Sequence, residues 1–407
     1  MLRVIISLLV VSLVLFAIEF YAFQAIKTVL KNKLIRWCWV LVGVVIYVYL
    51  FYVVFTTPRS MGQTTQFQWA MGLLLTTLIP KLFIVFPMFL EDIVRVFRKL
   101  ISYLSSGETK PLAGRRKFIS QLALGLAAIP FAGFLYGVIR GKHNYKVLKY
   151  QLSFSDLPAA FDGFTITQIS DIHSGSFTDK EKIAYGVDMI NEQRSDMILF
   201  TGDLVNNKAE EMDDWIPVFA KLKAPSGKYA ILGNHDYGDY IDWESDTDKQ
   251  VNFQAVKDVH PKIGFDLLCN EHRYIEKDGQ RIALIGSENW GRGFKKEGDL
   301  ALATKHVRQE DFKILMTHDP SHWDAEVKEN EFNYHLTLSG HTHGLQMGIE
   351  IPGFFRWSPS QYVYKQWAGL YEQAGRFLNV NRGFGYHAFP GRVGIWPEVT
   401  VIELKKG

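Results

Sequence analysis

Cysteine is nearly missing from this sequence: two residues in 407, too few for a disulfide scaffold or a cysteine-rich zinc module. Cys38 falls in an apolar run and Cys269 lies far downstream, so no disulfide is expected. Charge is scarce as well. Only 21% of the residues are charged while 48% are hydrophobic, which excludes a disordered chain or a nucleic-acid-binding tail. Internal repeats and low-complexity tracts are lacking. Acidic residues are scarcest at the front, where residues 1–140 hold 4 against 15 basic ones, a net of +11. The remaining 30 basic and 38 acidic residues give residues 141–407 a net of −8. The formal +3 of the whole chain averages two physically different parts.

The first part, residues 1–140, reads as an all-α region of four membrane spans at about residues 4–26, 37–57, 64–90 and 118–139. Residues 37–57 and 118–139 are unbroken uncharged runs of the roughly 20 residues that a helix needs to cross the hydrocarbon. Residues 4–26 are interrupted only by Glu19, and residues 64–90 only by Lys81, with Pro80 and Pro87 tolerable as kinks. Glu19 and Lys81 suit either a polar path through the membrane or side chains that merely face inward. Lys27, Lys31, Lys33 and Arg36 follow the first span; Arg95, Arg98, Lys99, Lys110, Arg115, Arg116 and Lys117 follow the third. Cytoplasmic placement of both groups puts eleven positive charges inside, against six for the inverted topology. Everything after Ile139 is then expected on the outer side of a cell (inner) membrane. The run Arg115-Arg116-Lys117-Phe118-Ile119 resembles a twin-arginine export signal. An ordinary positive-inside anchor explains it equally, and both give one topology. No small-residue cleavage site follows, so the fourth span is expected to stay as an anchor.

After a linker at residues 141–144, residues 145–407 read as an α/β domain. Residues 164–170 alternate as a strand does, and residues 197–200, 229–232, 313–316 and 335–338 are short buried-strand runs. A helix is expected over 178–193, with Thr178 as N-cap and Ile183, Val187 and Ile190 on one face. Strands alternating with helices imply a largely buried sheet whose functional loops lie at the strand ends. All five strands end in metal-ligand residues. They run into Asp171 and His173; Gly202 and Asp203; Gly233, Asn234, His235 and Asp236; His318; and Gly340, His341, His343 and Gly344. A shared sheet edge would let the five tips converge. Carboxylates, imidazoles and an amide oxygen form a donor set suited to Mn, Fe or Zn, and the adjoining glycines permit tight turns.

This order, D-x-H, G-D, G-N-H-D, H, G-H-x-H, resembles the calcineurin-like metallophosphoesterase superfamily over roughly residues 145–405, with every ligand position filled. The four spans also resemble transmembrane proteins with a metallophosphoesterase domain, in the membrane-anchored bacterial branch. The resemblance implies a β-sandwich flanked by helices that holds two divalent metal ions. Asp171, His173, Asp203 and His343 would hold one; Asp203, Asn234, His318 and His341 would hold the other, with Asp203 bridging. His235 would stay off the metals, face the phosphate and assist the leaving oxygen, while Asp236 orients it. Two cations about 3.5–4 Å apart can activate a hydroxide and clamp phosphoryl oxygens. The implied activity is hydrolysis of a phosphoester, a phosphodiester in the first place. The membrane tether favours a lipid-linked or cell-envelope substrate. A net of −8 argues against nucleic acid, which asks for a basic footprint. The competing reading is a non-catalytic membrane sensor or scaffold that keeps the fold, and the complete ligand set counts against it.

Three features lie outside the motif. Histidines 143, 260, 272, 306, 322, 335 and 387 lack motif context, so surface or core roles are expected. The aromatic stretch 354–371 suits a membrane-facing lip or plain packing. Arg382 and Arg392 suit either a phosphate contact or a turn-stabilising role.

Overall fold

The computed structural model describes residues 2–105, 114–351 and 353–407; Lys110 lies outside them. The chain forms two compact units, residues 1–57 with 66–136 and residues 58–65 with 137–407.

Nearly all of the first unit is four helices, α1 (Leu2–Val29), α2 (Lys33–Thr56), α3 (Thr65–Leu104) and α4 (Arg115–Ile139). All four are long and apolar enough to cross a membrane. Large apolar side chains such as Phe16, Trp37, Phe86 and Ile129 are exposed on them, as lipid-facing residues are. Ala22, Ala25, Ala123 and Ala127 are buried with Ile84 and Met88, because small residues let helix backbones approach closely. Helix α3 carries Pro80 and Pro87 and runs for 40 residues, about 60 Å at 1.5 Å per residue. It continues past position 90, where hydropathy falls, because charged and apolar residues alternate there at helical spacing and no breaker intervenes.

Glu19 and Lys81 are not lone charges. Lys81 Nζ pairs with Glu19 Oε2 and lies 5.5 Å from the ring centres of Trp39 and Tyr47, so the two residues neutralise each other inside the bundle. The arginines of the twin-arginine-like run are also engaged: Arg116 lies 2.8 Å from both Glu91 and Asp92 of α3, which gives it a structural role.

The second unit is a sandwich of two six-stranded sheets. The first sheet has the order β1-β14-β2-β3-β4-β5. Its strands are β1 (Lys146–Phe154), β2 (Thr165–Ile169), β3 (Met197–Phe200), β4 (Lys228–Ala230), β5 (Asp266–Leu267) and β14 (Glu398–Lys406). The second has the order β12-β13-β9-β8-β7-β6. It contains β6 (Glu271–Lys277), β7 (Gln280–Gly286), β8 (Lys313–Met316), β9 (Leu336–Ser339), β12 (Gly369–Gln373) and β13 (Arg376–Val380). Strands β10 (Ile349–Ile351) and β11 (Phe355–Trp357) form a separate hairpin. The middle of each sheet is parallel, with Ile166 opposite Met197 in the first and Ile314 opposite Leu336 in the second. Such strands are covered on both faces and read as continuous apolar runs.

Alternation sorts their side chains between two cores. Met197 and Leu199 join Ile166, Ile314, Met316, Leu336 and Leu338 in the core between the sheets. Ile198 and Phe200 face the opposite way and pack with Ile183, Val187 and Ile190 of α5 (Lys180–Glu192). The N-cap of α5 is Asp179, whose carboxylate accepts the Lys182 N–H at 3.1 Å, rather than Thr178. Further helices α6 (Ile216–Phe219) and α7 (Asp246–Lys262) cover the same face, and α8 (Leu300–Ala303) lies against the outer face of the second sheet.

The five ligand-bearing tips therefore come from two sheets, not one sheet edge. β2, β3 and β4 supply three loops from the first sheet, and β8 and β9 supply two from the second. Parallel strands with the same sense in both layers bring the five C-terminal ends to one rim of the sandwich.

Candidate metal centre

At that rim the backbone is bent away from ordinary conformations. Asp171 (φ 50), His173 (φ 50), Asp203 (φ 62), His341 (φ 71) and His343 (φ 50) all lie in the left-handed region, which costs a non-glycine residue roughly 1–3 kcal/mol. Local hydrogen bonds hold these turns: Asp171 accepts the His341 N–H at 3.0 Å, and Asp203 Oδ1 accepts the His235 N–H at 2.9 Å. Close approach explains two of the glycines. A Cβ on Gly233 would lie 2.2 Å from Asp203 Oδ1, and one on Gly340 would lie 1.9 Å from Ser170 Oγ.

Donor atoms gather in two groups, Asp171 with His173 and His343, and Asp203 with His318 and His341, each spanning no more than 4.8 Å, and a further set of the same span joins His173 to His235 and His387. Within the first, His173 Nε2 and His343 Nε2 are 3.0 Å apart, and His343 Nε2 is 3.3 Å from Asp171 Oδ1. Asp203 Oδ2 reaches both groups, 3.5 Å from His173 Nε2 and 3.1 Å from His318 Nε2. Asn234 Oδ1 joins the second group, 2.7 Å from His341 Nδ1 and 3.1 Å from His318 Nε2. All seven residues expected to hold metal are thus brought together.

Outer contacts fix which nitrogen of each ring faces inward. His173 Nδ1 donates to Asn206 Oδ1 at 3.1 Å, and His318 Nδ1 donates to the Thr201 carbonyl at 2.7 Å. Each leaves its Nε2 lone pair pointing at Asp203, an acceptor facing an acceptor, which only a proton or a cation between them can satisfy. Tyr364 Oη lies 2.7 Å from His341 Nε2, leaving Nδ1 to face inward. The Asn234 amide N–H₂ donates to Tyr240 Oη at 2.7 Å, which turns its oxygen into the site.

Electrostatics agree. Burial opposes the charged form of Asp203, yet the facing His318, His235 and His173 hold its carboxyl well below the usual carboxylate range. Burial pushes His173 well below an ordinary imidazole and lowers His341, so both present unprotonated nitrogens. Burial also opposes charge on His318, but Asp203 and Asp171 outweigh it and raise the group to about 10. The negative charge that draws a proton onto this buried imidazole would equally favour a cation there.

His235 and Asp236 part company. His235 is half-buried and donates its Nδ1–H to the Asn206 carbonyl at 2.8 Å, with the Tyr240 ring tilted against it at 4.4 Å. The orienting role expected of Asp236 is therefore taken by Asn206. The Asp236 carboxylate instead accepts the backbone N–H groups of Asp203 (2.9 Å), Leu204 (2.8 Å), Val205 (3.3 Å) and Gly233 (2.8 Å). It ties two ligand loops together. A buried carboxylate satisfies obligatory backbone donors before it reaches for a side chain.

His387, expected on the surface or in the core, lies at the site instead, its ring 4.6 Å from His173 and 4.3 Å from His235. Asn206, Tyr240, Tyr364 and His387 carry no sequence signal, since each acts only through residues that the fold brings beside it. Arg382 takes the turn-stabilising role, and Arg392 adds to that role a contact with the site, its Nη2 lying 3.1 Å from His343 Nδ1. Arg382 pairs with Glu350 at 2.7 and 2.8 Å, and the buried Arg392 donates to the Arg382 carbonyl at 2.8 Å. The aromatic stretch divides: Trp367 is buried, Tyr364 touches His341, and Phe354 and Tyr362 are 85% and 77% exposed.

Residues 2–142 match the family model "Probable Calcineurin-like phosphoesterase, transmembrane domain", and residues 164–345 match "Calcineurin-like phosphoesterase". The chain is 32% identical over 298 residues to the uncharacterized metallophosphoesterase YkuE of Bacillus subtilis, covering 72% of this chain and 97% of that one. It is 25% identical over 372 residues to a transmembrane protein with metallophosphoesterase domain of Danio rerio, covering 88% of this chain and 77% of that one.

Proposed function

The chain belongs to the calcineurin-like phosphoesterase family, and on that premise we propose that it is a membrane-anchored hydrolase of phosphoesters, phosphodiesters foremost, working with two divalent metal ions. The observation that carries this reading is Asp203 Oδ2, placed between the inward lone pairs of His173 and His318. Asp171, His173, Asp203 and His343 would hold one ion, and Asp203, Asn234, His318 and His341 the other. When bound, the two ions supply positive charge that clamps the phosphoryl oxygens and lowers the pKa of the attacking water.

The remaining work falls to side chains. His235 leaves its Nε2 as the working position, because Nδ1 is committed to the Asn206 carbonyl. That nitrogen can hand a proton to the departing oxygen, a contribution of roughly 10²–10⁴ in rate. Burial lowers its pKa, so in the neutral ring Nε2 is a lone pair and must take up a proton before it can act as the acid. Asp236 preserves the shape of the two loops that bear Asp203 and Asn234.

The catalytic unit would lie on the outer face of the inner membrane, as the basic loops favour, and would act on a lipid-linked or envelope phosphoester. An apolar surface supports this choice: Ile349, Ile351, Phe354, Phe355, Tyr362 and Val363 are all exposed, and they follow directly on the loop that carries His341 and His343. Hydrolysis of lipid-linked phosphoesters in liposomes, compared with a soluble aryl phosphodiester, tests the substrate class. Preference for the lipid substrate is the expected result; equal or lower rates would sink it.

A further inference from the structure

We infer that Gln63, from the loop joining α2 and α3, is a positioning residue of this site that fixes the hydrogen bonding of His387 and so the wall that His387 makes beside His173 and His235. The inference rests on the phosphoesterase reading above. Residues 58–65 belong to the same compact unit as residues 137–407, although the chain places them between two spans. Gln63 Oε1 accepts the Ala388 N–H at 2.8 Å, and Gln63 Nε2 lies 2.8 Å from His387 Nε2.

Those two contacts decide each other. A backbone N–H can only donate, so the carboxamide oxygen must face Ala388 and the N–H₂ must face the imidazole. His387 Nε2 is then the acceptor, and its ring proton sits on Nδ1, which donates to Asn206 Oδ1 at 3.1 Å. The same oxygen accepts from His173 Nδ1 at 3.1 Å. Asn206 thus receives two imidazole N–H groups, and Gln63 holds one of those rings in its tautomer. Ala388 sits at φ 59, a conformation that costs alanine energy and persists only when neighbours enforce it.

Gln63 is itself anchored. Gly62 turns at φ 65, where a side chain would press on Ile241 and Asn207 at 3.1 and 3.3 Å. With both His387 nitrogens engaged, the ring acts as a bracket rather than as a proton donor. Removing Gln63 frees it to rotate, releases one of the two N–H groups on Asn206, and loosens the seat of His173 and His235.

The test uses the full-length protein in detergent, as wild type, Gln63→Ala and Gln63→Glu. Metal content, kcat and KM on bis(p-nitrophenyl) phosphate, and hydrogen exchange of the peptide containing Ala388 are measured together. Gln63→Ala is expected to keep its metal and its KM, to lose roughly tenfold to a hundredfold in kcat, as misplacement at an active site does, and to exchange faster at Ala388. Gln63→Glu keeps an acceptor for Ala388 and hence its protection, but sets an acceptor against His387 Nε2, so kcat falls there too. Wild-type kcat in both variants, or unchanged exchange at Ala388 in Gln63→Ala, overturns the assignment. Failure of the phosphoesterase reading looks different: the wild type would hydrolyse nothing with metal bound, and exchange at Ala388 would still decide whether Gln63 holds the loop.

Discussion

Replacing Asn206 with alanine is expected to weaken metal binding while leaving the fold intact. Its carboxamide oxygen accepts N–H groups from His173 and His387, both at 3.1 Å, while its backbone carbonyl, which survives the substitution, holds His235 at 2.8 Å. In the alanine variant the buried His173 N–H loses its acceptor, a cost of about 1–3 kcal/mol. Nothing then selects the tautomer that presents Nε2 to Asp203. Losing such an outer partner typically weakens metal binding by roughly 10–100-fold. The effect should fall on the ion that His173 helps to hold, while the group of His318 and His341, oriented by Thr201 and Tyr364, keeps its affinity. Calorimetric metal titration of chelator-stripped protein is the assay, with Asn206→Asp, which keeps an acceptor, as the control near wild type. Two affinities in Asn206→Ala that both match the wild type would refute the assigned role of the carboxamide.

Asp236→Ala removes the acceptor of four backbone N–H groups and is expected to cost roughly 3 kcal/mol or more in stability, read as a lowered melting temperature; a variant that melts like the wild type and loses only turnover would contradict this. His260, in α7 and packed against Phe200, provides a pH signature of its own. It is fully buried, burial lowers its pKa to about 4, and its Nδ1–H is satisfied by the Val256 carbonyl at 3.1 Å. An unfolded histidine titrates near 6.5, so the unfolded state takes up the proton first as pH falls. The stabilising contribution is complete above about pH 6.5 and is lost progressively toward pH 4, by up to about 3 kcal/mol. His260→Leu is expected to lack this loss, so its melting temperature should gain on the wild type as pH falls through that window. A difference that stays constant with pH would refute the argument. Gly233→Ala places a methyl 2.2 Å from Asp203 Oδ1 and is expected to lose metal; a variant that retains its full metal content would show that the turn can yield.

The five ligand-bearing strands were legible in the sequence because each is a short apolar run that stops at a polar, glycine-flanked tip. Their division between two sheets was not, since a buried parallel strand reads the same whichever layer it joins. Local proximity misled at Asp236. It follows His235 directly, yet its carboxylate serves the backbone of a loop about thirty residues upstream. Glu19 and Lys81 each looked isolated because pairing across 62 positions leaves no periodic trace. Gln63 and His387 lie further apart still, separated by 324 positions, and only the folded unit shows that they meet. The third helix extends past the end of its apolar stretch because hydropathy marks the span, whereas the helix ends only where its hydrogen bonding does.

Metal content and phosphodiester hydrolysis of the purified full-length protein test the central claim most directly, in the wild type, Asp203→Ala and His235→Ala. The wild type is expected to carry two metal ions per chain, to lose hydrolysis of a bis-aryl phosphate on chelation, and to recover it on reloading. Asp203→Ala should lose metal and hydrolysis together, while His235→Ala keeps its metal and falls by roughly 10²–10⁴ in turnover. Hydrolysis that persists in Asp203→Ala or after chelation, or full activity in His235→Ala, would contradict the account.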